Sequence, residues 1–279
     1  MILVADSGST KTQWGYMHNM EVRFINTPGY NPYFVDGDFV TQSLIKDLLP
    51  CINETTVTDV YFYGSGCSTS EKQAVIHSAI RSVIPGAYIE INHDLLGAAR
   101  ALFENKEGIA CILGTGSNSC YYDGKDIIEN VTSLGYIFGD EGGGVYIGKK
   151  LLSDFLREKL PSELDKLFRD TYQLDVHSIL DAVYKKPQPN TFIAGFSRFA
   201  GENIQHAYMQ GILRESFHDF FDFQLKKYSH FGNAPVGCVG SIAYNFSEIL
   251  RLVAGEYGIR DINIQSSPTE SLVQYHTQI

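Results

Sequence analysis

Ile2-Leu3-Val4-Ala5-Asp6-Ser7-Gly8-Ser9-Thr10-Lys11-Thr12-Gln13-Trp14-Gly15-Tyr16 lies at the start of the sequence and decides the reading of its fold. The apolar run Ile2–Ala5 predicts a buried strand. It breaks at Asp6–Lys11, and the alternation through Trp14 and Tyr16 predicts a second strand. Together they make a β-hairpin whose tip holds one acid followed by small, hydroxylated and basic residues. Such a tip suits a magnesium nucleotide. Gly8 lets backbone come close to phosphate. Successive N–H groups in a tight turn form an anion-binding concavity, and Ser9, Thr10 and Lys11 add donors. Asp6 suits a hydrated Mg²⁺, which binds through one or two carboxylates plus phosphate oxygens. Taken alone, the tip is equally an ordinary polar hairpin loop.

The same device recurs. Ile109–Leu113 is an apolar strand that runs into Gly114-Thr115-Gly116-Ser117-Asn118-Ser119, then into Cys120-Tyr121-Tyr122 and a turn at Asp123-Gly124. Neither tip is a P-loop, which needs Gly-Lys-Ser/Thr opening a helix. Neither is a GxGxxG turn between strand and helix. A third element, Ala234–Val239, is a short strand ending at Gly240-Ser241. It leads into a helix marked by Ile242, Phe246, Ile249, Leu250 and Val253 at helical spacing, with Gly258 as a C-cap. Glycine at this corner either leaves space for a flat base or serves a tight turn.

In that order, Asp6–Lys11, Gly114–Asn118 and Val236–Ser241 resemble the two phosphate motifs and the adenosine motif of the actin/hexokinase/Hsp70 superfamily. Within it the chain resembles the N-acetylglucosamine kinase branch, also described as the BadF/BadG/BcrA/BcrD-type ATPase family. Asn92-His93-Asp94, Gly139-Asp140-Glu141-Gly142-Gly143-Gly144 and Ala194-Gly195-Phe196 support that branch. The resemblance spans nearly the whole chain. It implies an α/β fold of two ribonuclease-H-like (actin-like ATPase) lobes with a nucleotide cleft between them. It also implies ATP and Mg²⁺ as cofactors and an amino sugar as substrate.

Phosphorylating a sugar hydroxyl needs a carboxylate that orients the hydroxyl and accepts its proton. Tyr88–Asn92 alternates as a strand and Leu95–Phe103 reads as a helix. Asp94 therefore sits at a strand C-terminus and a helix N-terminus, where ligands gather in open α/β sheets. Asp is also a good N-cap, and spacing alone favours the cap. The resemblance matches Asp94 to the family's catalytic aspartate, and His93 beside it can tune the base.

Asp140 and Glu141 precede the helical face Leu151, Leu152, Phe155, Leu156 and Leu160. Acids are favourable at that helix end. Two acids among four glycines exceed what a cap requires, and the glycines leave room for a sugar ring. The resemblance places Asp140, with Glu141, at the sugar, and also Asn118 and Asn31. Asn31-Pro32 is itself a turn signal. Gly64-Ser65-Gly66 falls near the family's sugar-contacting loop. The ATP set is then Gly8, Ser9, Thr10, Lys11, Gly114, Thr115, Gly116, Gly240 and Ser241, with Asp6 at the metal.

Composition agrees. A chain of 279 residues with 44% hydrophobic content can bury a large core or two medium ones. A net charge of −10 without a basic stripe argues against nucleic acid. No apolar run approaches the roughly 18 residues of a membrane helix, and Ile2–Ala5 is too short for a signal peptide. The five cysteines show no CxxC and no ligand spacing, which reads as reduced thiols in a cytoplasmic protein. The eight histidines are dispersed. The clearest break, Glu104–Gly108, sets an N-terminal lobe at 1–104, joined by a last helix at 268–279, and a C-terminal lobe at 105–267. Helices are expected near Gly195–Ala207 and Ile212–Tyr228. The expected partner is a small sugar, with no nucleic acid and no membrane, and a homodimer is allowed. Two alternatives stay open: an ATPase that activates a partner enzyme, and a non-catalytic nucleotide or sugar sensor.

Overall fold

A computed structural model describes residues 1–53 and 56–277. Two five-stranded sheets carry the chain. The first has the order β3-β2-β1-β4-β5 and the second β10-β9-β6-β7-β8. Matched strand for strand, with β6 in the place of β1, the two orders are the same. This is the ribonuclease-H-like topology twice over.

The first sheet comprises β1 (Ile2–Ser7), β2 (Lys11–His18), β3 (Glu21–Pro28), β4 (Asp59–Gly64) and β5 (Tyr88–His93). Strand β1 pairs antiparallel with β2 and parallel with β4, and β4 pairs parallel with β5. Its helices are α1 (Gly37–Ser43), α2 (Ser70–Val83) and α3 (Asp94–Phe103). Side chains of β1 alternate between two apolar layers, as a strand covered on both faces requires. Leu3 and Ala5 join Trp14, Phe62, Ile76 and Ile80, whereas Val4 joins Tyr63, Leu272 and Val273. Strand β3 is a third strand beyond the expected hairpin, polar and largely exposed at the sheet edge.

The second sheet comprises β6 (Glu107–Leu113), β7 (Ser117–Asp123), β8 (Ile127–Glu129), β9 (Val236–Val239) and β10 (Ile262–Gln265). Strands β6, β9 and β10 run parallel. Its helices are α4 (Gly135–Phe138), α5 (Gly144–Leu156), α6 (Ser162–Tyr172), α7 (Val176–Tyr184), α8 (Pro189–Gly195), α9 (Ser197–Glu202), α10 (Ala207–Phe223), α11 (Ser241–Asn245) and α12 (Ser247–Glu256). Ile109, Cys111 and Leu113 of β6 face a core built with Phe155, Phe168, Phe217 and Phe220. Two expected helices are divided. The stretch after Gly240 breaks at Phe246, and the segment expected near 195–207 is occupied by α9 and the approach to α10. Gly258 adopts φ +82°, fitting the residue after a C-cap.

The last helix, α13 (Thr269–Thr277), lies on the first sheet, over Gly15. A Cβ on Gly15 would sit 2.8 Å from Thr269 Cγ2 and 2.9 Å from Val273 Cγ2, so glycine there admits the helix. His276 stacks on Tyr61 at 3.6 Å and meets the Tyr63 hydroxyl at 2.8 Å. By contact density the chain forms two compact units, 1–106 with 122–127 and 267–279, and 107–121 with 128–266. Among the described residues no helix is long and apolar enough to cross a membrane.

Candidate active site

In the first unit, parallel strands end together at one sheet edge. Ser7 pairs with Gly64 and Gly64 with His93, so Asp6, the Gly64–Gly66 loop and Asp94 reach that edge side by side. Asp6 belongs to β1 itself, and the tip proper is Gly8–Thr10. The tip closes through Gly8 N–H donating to the Lys11 carbonyl at 2.9 Å, with Ser7 Oγ 2.7 Å from Thr12 Oγ1. Gly8 has an ordinary φ and a Cβ there would meet nothing closer than Lys11 O at 3.7 Å. The fold therefore does not require a glycine at this exposed position, whereas close approach of an anion does.

Asp6 is partly buried and has no ion pair among the described residues. Burial, with the charge of Asp94 adding to it, pushes its pKa up to about 7 against the pull of Lys11. A carboxylate so placed fits a divalent cation, which would supply the missing countercharge. Among the described residues no cluster of three His, Cys, Asp or Glu side chains forms a metal cage. One or two carboxylates plus phosphate oxygens is the arrangement Mg²⁺ takes.

Asp94 is the first residue of α3, and the cap is His93, whose Nδ1 lies 3.2 Å from Leu95 N. The Asp94 Oδ1 accepts from Leu95 N at 2.9 Å and lies 2.9 Å from His93 Nδ1. Among the described residues Oδ2 has no hydrogen bond. One oxygen is thus held while the other is unengaged among the described residues. Burial works against a proton on His93, but the hydrogen bond and charge of Asp94 outweigh it and raise its pKa.

Asn31 is buried and its amide is largely spent inside the protein. Nδ2 donates to Ser9 Oγ at 2.9 Å and to Ser65 Oγ at 3.1 Å, and Oδ1 accepts from Tyr33 N at 3.0 Å. Asn31 therefore ties the first tip to the Gly64–Gly66 loop and offers a ligand one lone pair. Gly66, at φ +80°, is required here, because a Cβ would sit 2.4 Å from Asn31 Oδ1. Asn118 is the converse. Its Oδ1 accepts from Ser119 N at 3.0 Å and Asn130 Nδ2 at 3.3 Å, and its own donors are uncommitted among the described residues.

The second unit builds a matching cradle. Gly114 has nothing within 4 Å of a built Cβ, and so is as free of packing as Gly8, whose Cβ would meet only Lys11 O at 3.7 Å. The carbonyls of Gly114 and Thr115 accept from Gly144 N and Val145 N, each at 2.8 Å, so α5 opens directly onto the tip. Asp140 reaches the same tip. Its Oδ1 accepts from Ser117 N at 3.1 Å, and a Cβ on Gly116 would strike its carboxylate at 2.7 Å. Asp140 adopts φ +62°, an uncommon conformation outside glycine. It is not the cap of α5, which begins at an uncapped Gly143.

The glycines around it answer to packing rather than to a sugar ring. A Cβ on Gly143 would sit 2.7 Å from the Gly116 backbone, and one on Gly142 would press on Phe220 at 3.0 Å. Burial raises the Asp140 pKa, with the neighbouring Glu141 charge adding, while the Ser117 amide, Lys149 and Ser133 oppose the rise. Lys149 had no signal in the sequence. Its Nζ donates to the Tyr136 carbonyl at 2.7 Å. Glu141 is buried with Gln224 Nε2 3.4 Å away. Gly240, at φ +120°, needs its glycine for the backbone, since a Cβ would lie 2.3 Å from Leu113 O. That contact also sets the exposed Ser241 beside the base of the Gly114 tip.

No family model matches the chain. A crystal structure from Porphyromonas gingivalis, provisionally described as an N-acetylglucosamine kinase, is 38% identical and superposes with a TM-score of 0.94. The match covers 100% of this chain and 99% of that one. The chain belongs to the N-acetylglucosamine kinase-like family of the actin/hexokinase/Hsp70 superfamily. An N-acetylmuramic acid/N-acetylglucosamine kinase of Clostridium acetobutylicum is 30% identical over 172 residues, which is 56% of this chain and 54% of that protein. The chain thus matches about half the length of this curated relative. A Chromobacterium violaceum structure of the same provisional description, 14% identical over 98% of both chains, shares the fold of this family member at a TM-score of 0.77.

Proposed function

We propose that this chain is an ATP-dependent kinase of an amino sugar, N-acetylglucosamine first. The observation that carries the reading is the Asp94 carboxylate, with Oδ1 fixed by Leu95 N and His93 and Oδ2 uncommitted. In this reading Oδ2 orients the acceptor hydroxyl and takes its proton as the hydroxyl oxygen attacks the terminal phosphorus of ATP, the bond from that phosphorus to the β,γ-bridging oxygen breaks and ADP leaves. Asp6 would hold Mg²⁺, which when bound offsets the negative charge on the phosphates. Ser9, Thr10 and Lys11 at one tip and the Gly114–Gly116 backbone at the other bind phosphate oxygens. Gly240 and Ser241 border the nucleoside, and Asn31, Asn118, Asp140 and Glu141 bind or frame the sugar. The naming of the Clostridium relative makes N-acetylmuramic acid a second substrate to consider.

Coupled ADP release with a panel of hexoses and amino sugars tests the reading. The expected result is release that depends on N-acetylglucosamine and falls by about 10²–10⁴-fold in Asp94→Asn, with ATP binding retained. Sugar-independent ADP release would favour a partner-activating ATPase, and nucleotide binding without turnover would favour a sensor.

A further inference from the structure

The Asn31 loop carries a cation that the proposed reaction does not use. Lys72, in the first turn of α2, is partly buried, and its Nζ donates to the Pro32 carbonyl at 3.0 Å. The ammonium also lies 4.5 Å from the centroid of the Tyr33 ring. No acidic side chain pairs with it among the described residues. Lys150, Lys185 and Lys226, by contrast, sit 2.6, 2.8 and 3.1 Å from carboxylates. A carbonyl and an aromatic face hold an ammonium in place but leave its charge unneutralised.

The surroundings are fixed and continuous with the sugar residues. Thr69 caps α2 through the Lys72 amide, and Gln73 Nε2 donates to the Cys67 carbonyl at 3.1 Å, clamping the first turn onto the Gly64–Cys67 loop. Tyr33 N donates to Asn31 Oδ1. A Cβ on Gly66 would lie 3.0 Å from Tyr33 Cδ2, so the ring abuts that loop. Yet Tyr33 remains 59% exposed. The exposed Tyr33 ring next to Asn31 suits packing against a pyranose, and the ammonium held over that ring suits an anion carried by that sugar.

We propose that Tyr33 and Lys72 form an acid-recognition subsite, so that the sugar taken includes amino sugars bearing a carboxylate on an ether substituent. The inference rests on the kinase reading for the position of the sugar. Lys72 is a specificity residue in it. The net charge of −10 would otherwise disfavour an acidic substrate, so a local cation is what such a substrate needs.

The test compares N-acetylmuramic acid with N-acetylglucosamine in the wild type, Lys72→Met and Lys72→Arg, by ADP release and by calorimetric titration. The expected result is that the acid-to-neutral ratio of kcat/KM, and of affinity, falls by about 10- to 100-fold in Lys72→Met. Lys72→Arg, which keeps the charge, restores most of it. In the wild type the ratio falls as salt rises. A ratio unchanged in Lys72→Met, or a wild type that uses the neutral sugar and neither binds nor phosphorylates the acidic one, overturns the subsite. A protein that binds both sugars in this pattern but releases no ADP overturns the kinase reading and leaves the subsite standing.

Discussion

His93 Nδ1 lies 2.9 Å from Asp94 Oδ1 and 3.2 Å from Leu95 N, two contacts that one nitrogen cannot serve in the same protonation state. Neutral at Nδ1, the ring accepts from Leu95 and caps α3. Protonated, it donates to Asp94. The raised pKa of His93 means that its proton stays on above the ordinary histidine range near about 6.5. While the proton is present, Asp94 shares its Oδ1 with a cation and is the weaker base. kcat should therefore climb as pH rises through the His93 titration, and His93→Gln should flatten that limb. Stability should move the other way. A raised folded-state histidine pKa contributes stability fully present below the unfolded value and lost as pH rises through the folded one. A kcat profile identical in wild type and His93→Gln would separate His93 from the base.

Asp6 sets function against stability in the same direction as His93. Its carboxyl titrates near 7 in the folded protein and near about 4 unfolded, so the folded state binds the extra proton between those values. Stability from this group is present below the unfolded pKa and lost as pH rises toward 7 and beyond. Asp6→Asn should raise Tm in metal-free buffer at pH 8, have little effect at pH 4, and remove Mg²⁺-dependent turnover. Thermal melts at the two pH values decide it. A Tm at pH 8 that falls in the variant would mean that Asp6 has a cationic or donor partner supporting it in the fold.

The two glycines of the second tip should separate binding from folding. Nothing lies within 4 Å of a Cβ on Gly114, so Gly114→Ala should leave stability within about 0.5 kcal/mol of the parent while raising KM for ATP. At Gly116 the added carbon meets the Asp140 carboxylate, so Gly116→Ala should lower Tm and disturb nucleotide and sugar use together. Tm and both KM values for the pair give the answer. Equal losses of stability would show that the tip is shaped by its own backbone and not kept open for a ligand.

These contrasts show which parts of the site could be read before the fold was known. Local signals carried far. An apolar run breaking into Gly, Ser and Thr marks both hairpins, and an alternating strand running into a helical repeat puts Asp94 at the corner between β5 and α3. Strand β3 escaped because an exposed edge strand such as Glu21–Pro28 buries few apolar side chains and shows little alternation. The break at Phe246 escaped because the apolar spacing continues through it while the backbone does not. The glycines after Asp140 read in the sequence as room for a sugar. Gly143 and Gly144 meet the backbone of the Gly114–Gly116 tip and Gly142 meets Phe220, long-range contacts with no periodic trace. Lys149 and Lys72 escaped for a related reason, since each donates to a backbone carbonyl of another element, Tyr136 in α4 and Pro32 in the Asn31 loop.

Asp140 then has two tasks, and its variants should tell them apart. The carboxylate anchors the tip through Ser117 N and, by proposal, accepts from sugar hydroxyls. Asp140→Asn keeps an oxygen for the Ser117 amide and removes the charge. Asp140→Ala removes both. A charge-assisted hydrogen bond is worth roughly 1.5–3 kcal/mol, so KM for the sugar should rise by about 10- to 150-fold in Asp140→Asn, with KM for ATP little moved. Asp140→Ala should raise both. The pH dependence adds an independent reading. Burial raises the Asp140 pKa, so protonation on acidification sets in above the usual carboxylate range. Sugar KM should therefore climb as pH falls in the wild type and stay level in Asp140→Asn. The same raised pKa means that the group's contribution to stability is present below the unfolded pKa and lost as pH rises through the folded one, so Asp140 does not drive acid unfolding. If Asp140→Asn keeps the parent sugar KM at every pH while Asp140→Ala loses ATP affinity alone, Asp140 serves the nucleotide tip and the sugar is held by other residues.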